Sequence, residues 1–245
     1  MSINSVERFV RLLKQHPSGA VFNPWWEIDD VNDVSQSAPT IRREQLNAYL
    51  QERLGRAKIA IIGEALGYRG GHFSGIAMTS ERILLGKKPE IAAAPCERRK
   101  RKARSKSGGV RPPLQILETI KPRRTSKPSI CPDGFSEPTA TIVWGALLKI
   151  GVLPDQFVLW NAFPWHSFDR SGGLLSNRTP NKSEQLYGRP VLKAFLELFR
   201  CEQIVTLGKI AAAQVEQLGV HPHCVRHPAS GGAKLFREQI ARIVR

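Results

Sequence analysis

The chain has 245 residues, of which 41% are hydrophobic, so it can form one large domain or two small ones with a substantial core. Its formal net charge of +16 favours a polyanionic partner, with nucleic acid as the first candidate. No apolar run is long enough to span a membrane, and the first eight residues lack the apolar segment of a signal peptide, so we expect a cytoplasmic protein without a membrane partner.

The first 57 residues are predicted to be a helical extension. Apolar residues recur at helical spacing over residues 6–14 and again over residues 41–54. Between these helices we expect an aromatic turn over Phe22–Trp26 and a polar loop over residues 29–39.

A short buried strand is predicted over residues 58–62, followed by a loop from Gly63 to Gly75. The loop is too rich in glycine and serine for a helix, and loops of this kind often carry function. The chain from Gly86 to Pro138 is the least structured stretch. We interpret about 87–137 as a proline-rich insertion, mostly loop, with a basic run over Arg98–Lys106. That run can add nonspecific DNA affinity or be a solvated loop without a specific role.

Helices and strands alternate through the rest of the chain. Helices are predicted over 139–150, 183–199, 209–218 and 233–244, and strands over 156–160, 203–207 and 221–226. Pro190 is expected to bend the second of these helices or to mark its true start. The pattern predicts an α/β three-layer sandwich, with a central four-stranded, mainly parallel sheet flanked by helices.

Three of the predicted strands end in residues suited to catalysis. The strand ends carry Gly63-Glu64-Ala65, Asn161-Ala162-Phe163 and His227-Pro228-Ala229. Ligands bind beyond the carboxyl ends of parallel strands, so these three loops predict one active site.

Four cysteines, Cys96, Cys131, Cys201 and Cys224, show no close pair in the sequence. Unpaired thiols in a reducing compartment are the first interpretation, and a four-cysteine metal or iron–sulfur site is the alternative.

The motifs resemble those of the uracil-DNA glycosylase superfamily, in the same order along the chain. Gly63-Glu64-Ala65-Leu66-Gly67 is similar to the first motif of its iron–sulfur branch, and Gly71-His72-Phe73-Ser74-Gly75 to the segment that follows. Asn161 lies where the superfamily keeps an asparagine, and His227-Pro228-Ala229-Ser230 resembles its His-Pro-Ser motif. The resemblance spans about residues 58–245. It implies one domain of that type over 1–245.

The resemblance implies a DNA glycosylase that flips uracil out of single- or double-stranded DNA and hydrolyses its N-glycosidic bond. Free uracil and an abasic site are the products, and base excision repair is the process. Phe73 would stack on the base, Asn161 would read its polar edge beside Gly63 and Ala65, and His227 would donate a hydrogen bond to the leaving base. Structural roles for each are the alternatives: core packing for Phe73, a turn for Asn161, a cap for His227, and packing rather than phosphate contact for His166.

The chain departs from the superfamily at Ala65, where the best-known branch has an aspartate that acts on the water. Glu64 is the first candidate for that role, followed by His72 and a backbone carbonyl at Ala65. Tyr68 or Arg69 could crowd the pocket against a thymine methyl group. The close cysteine pair of the iron–sulfur branch is absent from the sequence, so we expect no cluster, no other metal and no cofactor.

DNA contacts are expected mainly from the loop around His227, in an enzyme that works as a monomer. The expected set is Arg178, Arg226, Pro228, Ala229, Ser230, Gly231 and Lys234. No motif places a lysine for Schiff-base chemistry, so no lyase activity is predicted. The alternatives are a glycosylase for hypoxanthine or xanthine, or a non-catalytic protein that binds abasic or single-stranded DNA.

Overall fold

The computed structural model describes residues 4–93 and 114–244. Within them, a four-stranded sheet forms the centre of the molecule. Its strands are β2 (Ile59–Ala65), β3 (Phe157–Phe163), β5 (Gln203–Leu207) and β6 (His223–Val225). All neighbouring strands are parallel, in the order β3-β2-β5-β6, so the predicted α/β architecture is confirmed.

Helices flank this sheet. In the described residues they are α1 (Ser5–Leu12), α2 (Ala38–Arg53), α3 (Gly71–Ser74), α4 (Glu81–Leu84), α5 (Pro89–Ala92), α6 (Pro138–Lys149), α7 (Lys182–Phe199), α8 (Lys209–Glu216) and α9 (Ala233–Ile243). The side chains of β3 are buried along its whole length, which explains why its sequence is apolar without alternation. None of the helices in the described part of the chain is long and apolar enough to cross a membrane.

Several boundaries differ from the sequence predictions. The loop after β2 contains the short helix α3, which ends at Gly75 in a left-handed conformation with φ of 76°. Helix α7 begins at Lys182 and continues through Pro190, so this proline does not mark its start. A capping box formed by Asn181 and Glu184 satisfies the first backbone amides of α7. This capping box explains why the helix begins before Pro190.

A second, two-stranded sheet was not predicted. It pairs β1 (Val21–Phe22) antiparallel with β4 (His166–Ser167), which ties the N-terminal residues to the chain beyond β3. Side chains from α1 and α2, such as Phe9 and Leu46, share one hydrophobic cluster with the central sheet, and Trp25 from the turn between these helices joins it. The N-terminal 57 residues therefore contribute to the same core as the central sheet.

The described part of the predicted insertion is largely without regular structure but packs closely. Leu114, Ile116 and Leu117 are buried in the core. The buried Glu81 carboxylate accepts the backbone N–H groups of Thr125 at 2.8 Å and Ser126 at 3.0 Å. The basic run Arg98–Lys106 and Cys96 lie outside the described residues, and Cys131, Cys201 and Cys224 are free thiols.

Candidate active site

A cavity of about 350 Å³ opens at the carboxyl ends of the parallel strands. Its walls come from the ends of β2 and β3, from the loop after β6, and from loops near residues 137 and 177. The lining residues are Gly63, Glu64, Ala65, Leu66, Gly67, Met78, Glu137, Thr139, Asn161, Asn177, Arg178, Thr179 and His227. Three loops that the sequence singled out therefore do meet at one place.

A larger cavity of about 390 Å³ lies elsewhere, between α2 and the chain around Ile116. It is lined by Leu54 and Arg56, which precede β2, and by Pro154 and Asp155, which precede β3. This position is at the amino ends of the strands, where parallel sheets do not usually bind substrates. We therefore place the candidate active site in the smaller cavity.

Asn161 is held in the cavity by the register of the sheet. It pairs with Gly63 across β2 and β3, and its side chain lies directly over that glycine. A Cβ atom at Gly63 would be 2.5 Å from Asn161 Oδ1, so only glycine leaves room for the amide. Asn161 is 1% exposed, and its Oδ1 has no hydrogen-bond partner among the described residues. A buried carbonyl oxygen without a partner in a cavity indicates a ligand that donates a hydrogen bond.

His227 is half-buried and lies just after β6, the strand at the edge of the sheet opposite to β3. Its Nδ1 accepts the backbone N–H of Ala229 at 3.1 Å. The neutral ring therefore carries its proton on Nε2 and has a donor available there. Burial lowers the pKa of His227, although the nearby Glu64 carboxylate raises it and Arg226 lowers it further. The imidazole is consequently neutral at physiological pH.

The loop after His227 is shaped by a sharp turn. Ser230 and Gly231 both have left-handed backbone conformations, with φ of 51° and 76°. A Cβ atom at Gly232 would be 2.0 Å from the carbonyl oxygen of His227, so the loop closes tightly on His227. Ala229, Ser230, Gly231 and Lys234 are exposed together with Arg226, whereas Pro228 is buried. Pro228 therefore supports the loop from beneath, in contrast to its predicted contact with the DNA backbone.

Glu64 and Ala65 point to opposite faces of β2. Successive side chains of a strand alternate, so Ala65 shares the face of Gly63 and the Asn161 amide, whereas Glu64 faces the other way. The negative charge of the Glu64 carboxylate raises the pKa of His227, so it acts electrostatically on the imidazole. Both Glu64 and Ala65 line the cavity.

Phe73 does not line the cavity. Its side chain is fully buried, and its ring stacks on Phe135 with centroids 4.5 Å apart and an interplanar angle of 2°. The predicted stacking of Phe73 on a base is thus not supported, because Phe135 already covers the ring. Tyr68 also lies off the cavity wall, edge-on to Phe135, and its backbone N–H donates to Asn177 Oδ1 at 3.0 Å. The apolar side chains in the cavity wall are those of Ala65, Leu66 and Met78.

His72 and His166 form a buried network behind the site rather than acting on a substrate. Their Nδ1 atoms lie 3.0 Å apart, and His72 Nε2 contacts Asp29 at 3.2 Å. His166 Nε2 donates to the carbonyl of Ser176 at 2.8 Å, which fixes the loop leading to Asn177. Burial lowers the pKa of His72 to about 3 and that of His166 to about 4. His72 is fully buried and does not line the cavity, unlike Glu64.

Arg178 lines the cavity but is committed to the protein. It forms a bidentate pair with Glu184, with N–O distances of 2.6 and 2.7 Å. Its remaining donors reach the carbonyl oxygens of Phe168, Ala20 and Thr179. The sequence prediction of a phosphate contact is therefore wrong for this residue, because its donors are already satisfied.

Glu137 is a cavity residue that the sequence analysis missed. It lies at the end of the predicted insertion, immediately before Pro138 begins α6. Its Oε2 is shielded from solvent and has no hydrogen-bond partner among the described residues. Burial raises the pKa of this carboxyl to about 7. No motif marks it, and only its position next to a helix start could have drawn attention to it.

Comparisons with known proteins identify the family and the fold. The family model of the uracil DNA glycosylase superfamily matches residues 52–240. Among solved structures, the crystal structure of wild-type Pedobacter heparinus SMUG2 is similar, with a TM-score of 0.56 and 12% sequence identity, covering 98% of this chain and 96% of that chain. At this identity the likeness establishes the fold. No curated protein matches the chain.

Proposed function

Because the chain belongs to the uracil DNA glycosylase superfamily, we propose that it is a monofunctional uracil-DNA glycosylase. It hydrolyses the N-glycosidic bond of uracil in DNA and leaves an abasic site, as a monomer in the cytoplasm, within base excision repair. The observation that carries this proposal is the buried amide of Asn161, whose unpartnered Oδ1 lies in the cavity that His227 also lines.

Asn161 reads the flipped base. An amide presents one acceptor and one donor side by side, which complements the N3–H donor and O4 acceptor of uracil. Cytosine presents the reverse arrangement, an acceptor at N3 and a donor at its amino group. Glycine at position 63 leaves the space that the Asn161 oxygen occupies, so the amide can face the cavity.

His227 stabilises the leaving base. As the C1′–N1 bond breaks, its electron pair moves into the uracil ring and negative charge develops on O2. The Ala229 N–H bond to Nδ1 leaves the Nε2–H of the neutral imidazole free to donate to this oxygen, and a neutral donor needs no proton transfer to do so. The uracil anion then leaves and takes a proton from solvent.

Water attacks C1′ of the sugar from the side opposite the base, and Glu64 is the group that we assign to hold it. The Glu64 carboxylate lines the cavity beside His227, and Ala65 has no polar side chain. A carboxylate can accept a proton from the water as the oxygen–carbon bond forms, and its charge favours the oxocarbenium-like sugar. None of the described residues lining this cavity is a lysine, in keeping with hydrolysis rather than Schiff-base chemistry.

DNA is held by the exposed loop after His227. Arg226 and Lys234 supply positive charge, and Ser230, Ala229 and Gly231 present a small, polar turn to the backbone. The nucleotide must leave the base stack to reach Asn161, because the cavity lies below this loop.

The test is base release under enzyme excess from single-stranded oligonucleotides with one uracil, cytosine, hypoxanthine or xanthine, read as strand cleavage after hot alkali. Release of uracil with cytosine untouched supports the proposal, and strand breaks before alkali would contradict the monofunctional mechanism. Release of hypoxanthine or xanthine without uracil would reassign the substrate. Binding to abasic DNA without release of any base would make the chain a damage-binding protein.

A further inference from the structure

The mechanism described above leaves Glu137 without a role, although its side chain lines the same cavity as Asn161. The segment that leads to it is firmly anchored. The Glu81 carboxylate accepts the backbone N–H of Phe135 at 3.2 Å, and Arg82 Nε donates to the carbonyl of Gly134 at 2.8 Å. Pro138 then fixes the start of α6.

Two glycines leave space for the Glu137 carboxyl group. A Cβ atom at Gly70 would be 2.2 Å from Oε2, and a Cβ atom at Gly67 would be 3.5 Å from Oε1. A larger residue at position 70 would therefore displace the carboxyl. The same Gly67 position lies 3.7 Å from Asn177 Oδ1, so Glu137 is enclosed between the loops that follow β2 and β3.

Glu137 lies toward the Asn161 side of the cavity. Asn161 belongs to β3 at one edge of the sheet, and His227 follows β6 at the other edge. The loops around Glu137 follow β2 and β3, the neighbouring strands that carry Gly63 and Asn161. The carboxyl therefore belongs to the part of the cavity wall that is built with Asn161, whereas His227 follows β6 at the far edge of the sheet.

Two oxygen atoms in this one cavity are shielded from solvent and have no partner among the described residues, Asn161 Oδ1 and Glu137 Oε2. Buried polar atoms are normally hydrogen-bonded, so both indicate complementary atoms on a ligand. Burial alone raises the pKa of Glu137 to about 7, so the carboxyl is protonated in a large part of the population at neutral pH.

The charged and titratable groups around Glu137 do not supply a counter-charge. The cavity wall also contains Glu64, His227 and Arg178, of which Arg178 is paired with Glu184. On the turn beneath the carboxyl, Arg69 Nε bonds to the hydroxyl of Tyr68 at 2.8 Å. Earlier in its own segment, Asp133 is paired with Lys87.

We propose that the protonated carboxyl of Glu137 donates a hydrogen bond to the exocyclic carbonyl oxygen of the flipped base, and that Glu137 determines specificity together with Asn161. This inference rests on the proposed function. Uracil O4 has two lone pairs, so the Asn161 amide N–H can take one and the Glu137 O–H the other. The amino group of cytosine has no lone pair to offer and is rejected. The ionised carboxylate would repel O4 and attract the amino group instead.

The experiment measures binding, independently of turnover. Single-stranded oligonucleotides with one 2′-fluoro-2′-deoxyuridine or 2′-fluoro-2′-deoxycytidine, whose fluorine slows hydrolysis, are titrated at pH 6.5 and 8.5 by fluorescence anisotropy. The preference is the ratio of the Kd for the cytosine oligonucleotide to the Kd for the uracil oligonucleotide. For the wild type, we expect this ratio to fall about 10-fold from pH 6.5 to pH 8.5, because one buried hydrogen bond is lost. Burial lowers the pKa of His227 from its ordinary value, which favours the neutral imidazole over this range.

Two variants separate the roles of the carboxyl. Glu137→Gln keeps a donor at every pH, so its preference should no longer depend on pH. Glu137→Met removes the donor, so its preference should be about 10-fold lower at pH 6.5. Glu197→Gln, at an exposed glutamate of α7, is the matched control and should keep the wild-type pH dependence.

An unchanged preference and pH dependence in Glu137→Met, or a wild-type preference that rises with pH, would overturn the inference. If Glu137→Met does not fold, as judged by urea unfolding, Glu137→Gln alone decides by its pH dependence. A wild type without any uracil preference would refute the proposed function and the Glu137 inference together. A uracil preference that neither variant alters would refute only the inference.

Discussion

Gly63 offers a sharp perturbation of the base-reading amide, because a single methyl group would displace it. In Gly63→Ala the new Cβ would be 2.5 Å from Asn161 Oδ1 and 3.2 Å from Met78 Sδ. Ordinary contact begins at about 3.4 Å, so the amide oxygen must move by roughly 0.9 Å. The substitution therefore acts on the position of Asn161 without changing any polar group.

The cost can be worked out separately for catalysis and for stability. A displacement of about 1 Å in a positioning group typically costs on the order of 10²-fold in rate. Overpacking a buried site costs about 1–3 kcal/mol, which leaves a domain of this size folded. We thus expect Gly63→Ala to remain folded and to release uracil about 100-fold more slowly.

Single-turnover release of uracil from a single-stranded oligonucleotide measures the first effect, and urea unfolding measures the second. Gly145→Ala is the matched control, since its Cβ would make only an ordinary contact of 3.7 Å with Ile91 and alanine is favoured within α6. This control should release uracil at the wild-type rate. A folded Gly63→Ala that also released uracil at the wild-type rate would refute the role given to the Asn161 amide.

Two further predictions concern the framework around the site. Arg178→Gln should lower the free energy of unfolding in urea by about 2 kcal/mol, because it removes the bidentate pair with Glu184, while the salt dependence of DNA binding stays the same. An unchanged free energy of unfolding together with a weaker salt dependence of DNA binding would instead indicate that Arg178 contacts phosphate. His166 has a pKa lowered to about 4 in the folded chain and near 6.5 when unfolded, so its contribution is fully present above pH 6.5 and is lost as the pH falls toward 4. We expect the free energy of unfolding to fall by about 3 kcal/mol over this range, which is measured as a falling Tm. The Tm of His166→Gln should fall less steeply with pH. Equal slopes of Tm against pH in the two proteins would contradict the conclusion that His166 is buried and neutral.

The architecture was predictable because the sheet strands are short apolar runs that alternate with helices. Residues 58–62, 156–160 and 203–207 all became parallel strands, and the residues after them met at one edge. That convergence follows from topology alone, since parallel strands present their carboxyl ends together. The two-residue strands β1 and β4 escaped prediction because each is too short to show a period.

The site was predictable only where a residue directly follows a strand. Asn161 and His227 line the cavity as expected, whereas Phe73 is covered by Phe135, which comes from the predicted insertion. Arg178 was mistaken for a phosphate ligand because its partner Glu184 lies across a helix start. Glu137 was missed for a related reason. Its importance depends on the space above Gly67 and Gly70, and this contact between distant parts of the chain has no local sequence pattern.

The central claim is that one site, built from Asn161 and His227, removes uracil from DNA. Release of free uracil from a labelled single-stranded oligonucleotide, under enzyme excess at pH 7.5, tests it most directly for the wild type and for His227→Ala. The account predicts release by the wild type and a rate about 100-fold lower in His227→Ala, because the donor to the leaving base is lost. Equal rates for the two proteins, or no release by a folded wild type that binds the oligonucleotide, would contradict it.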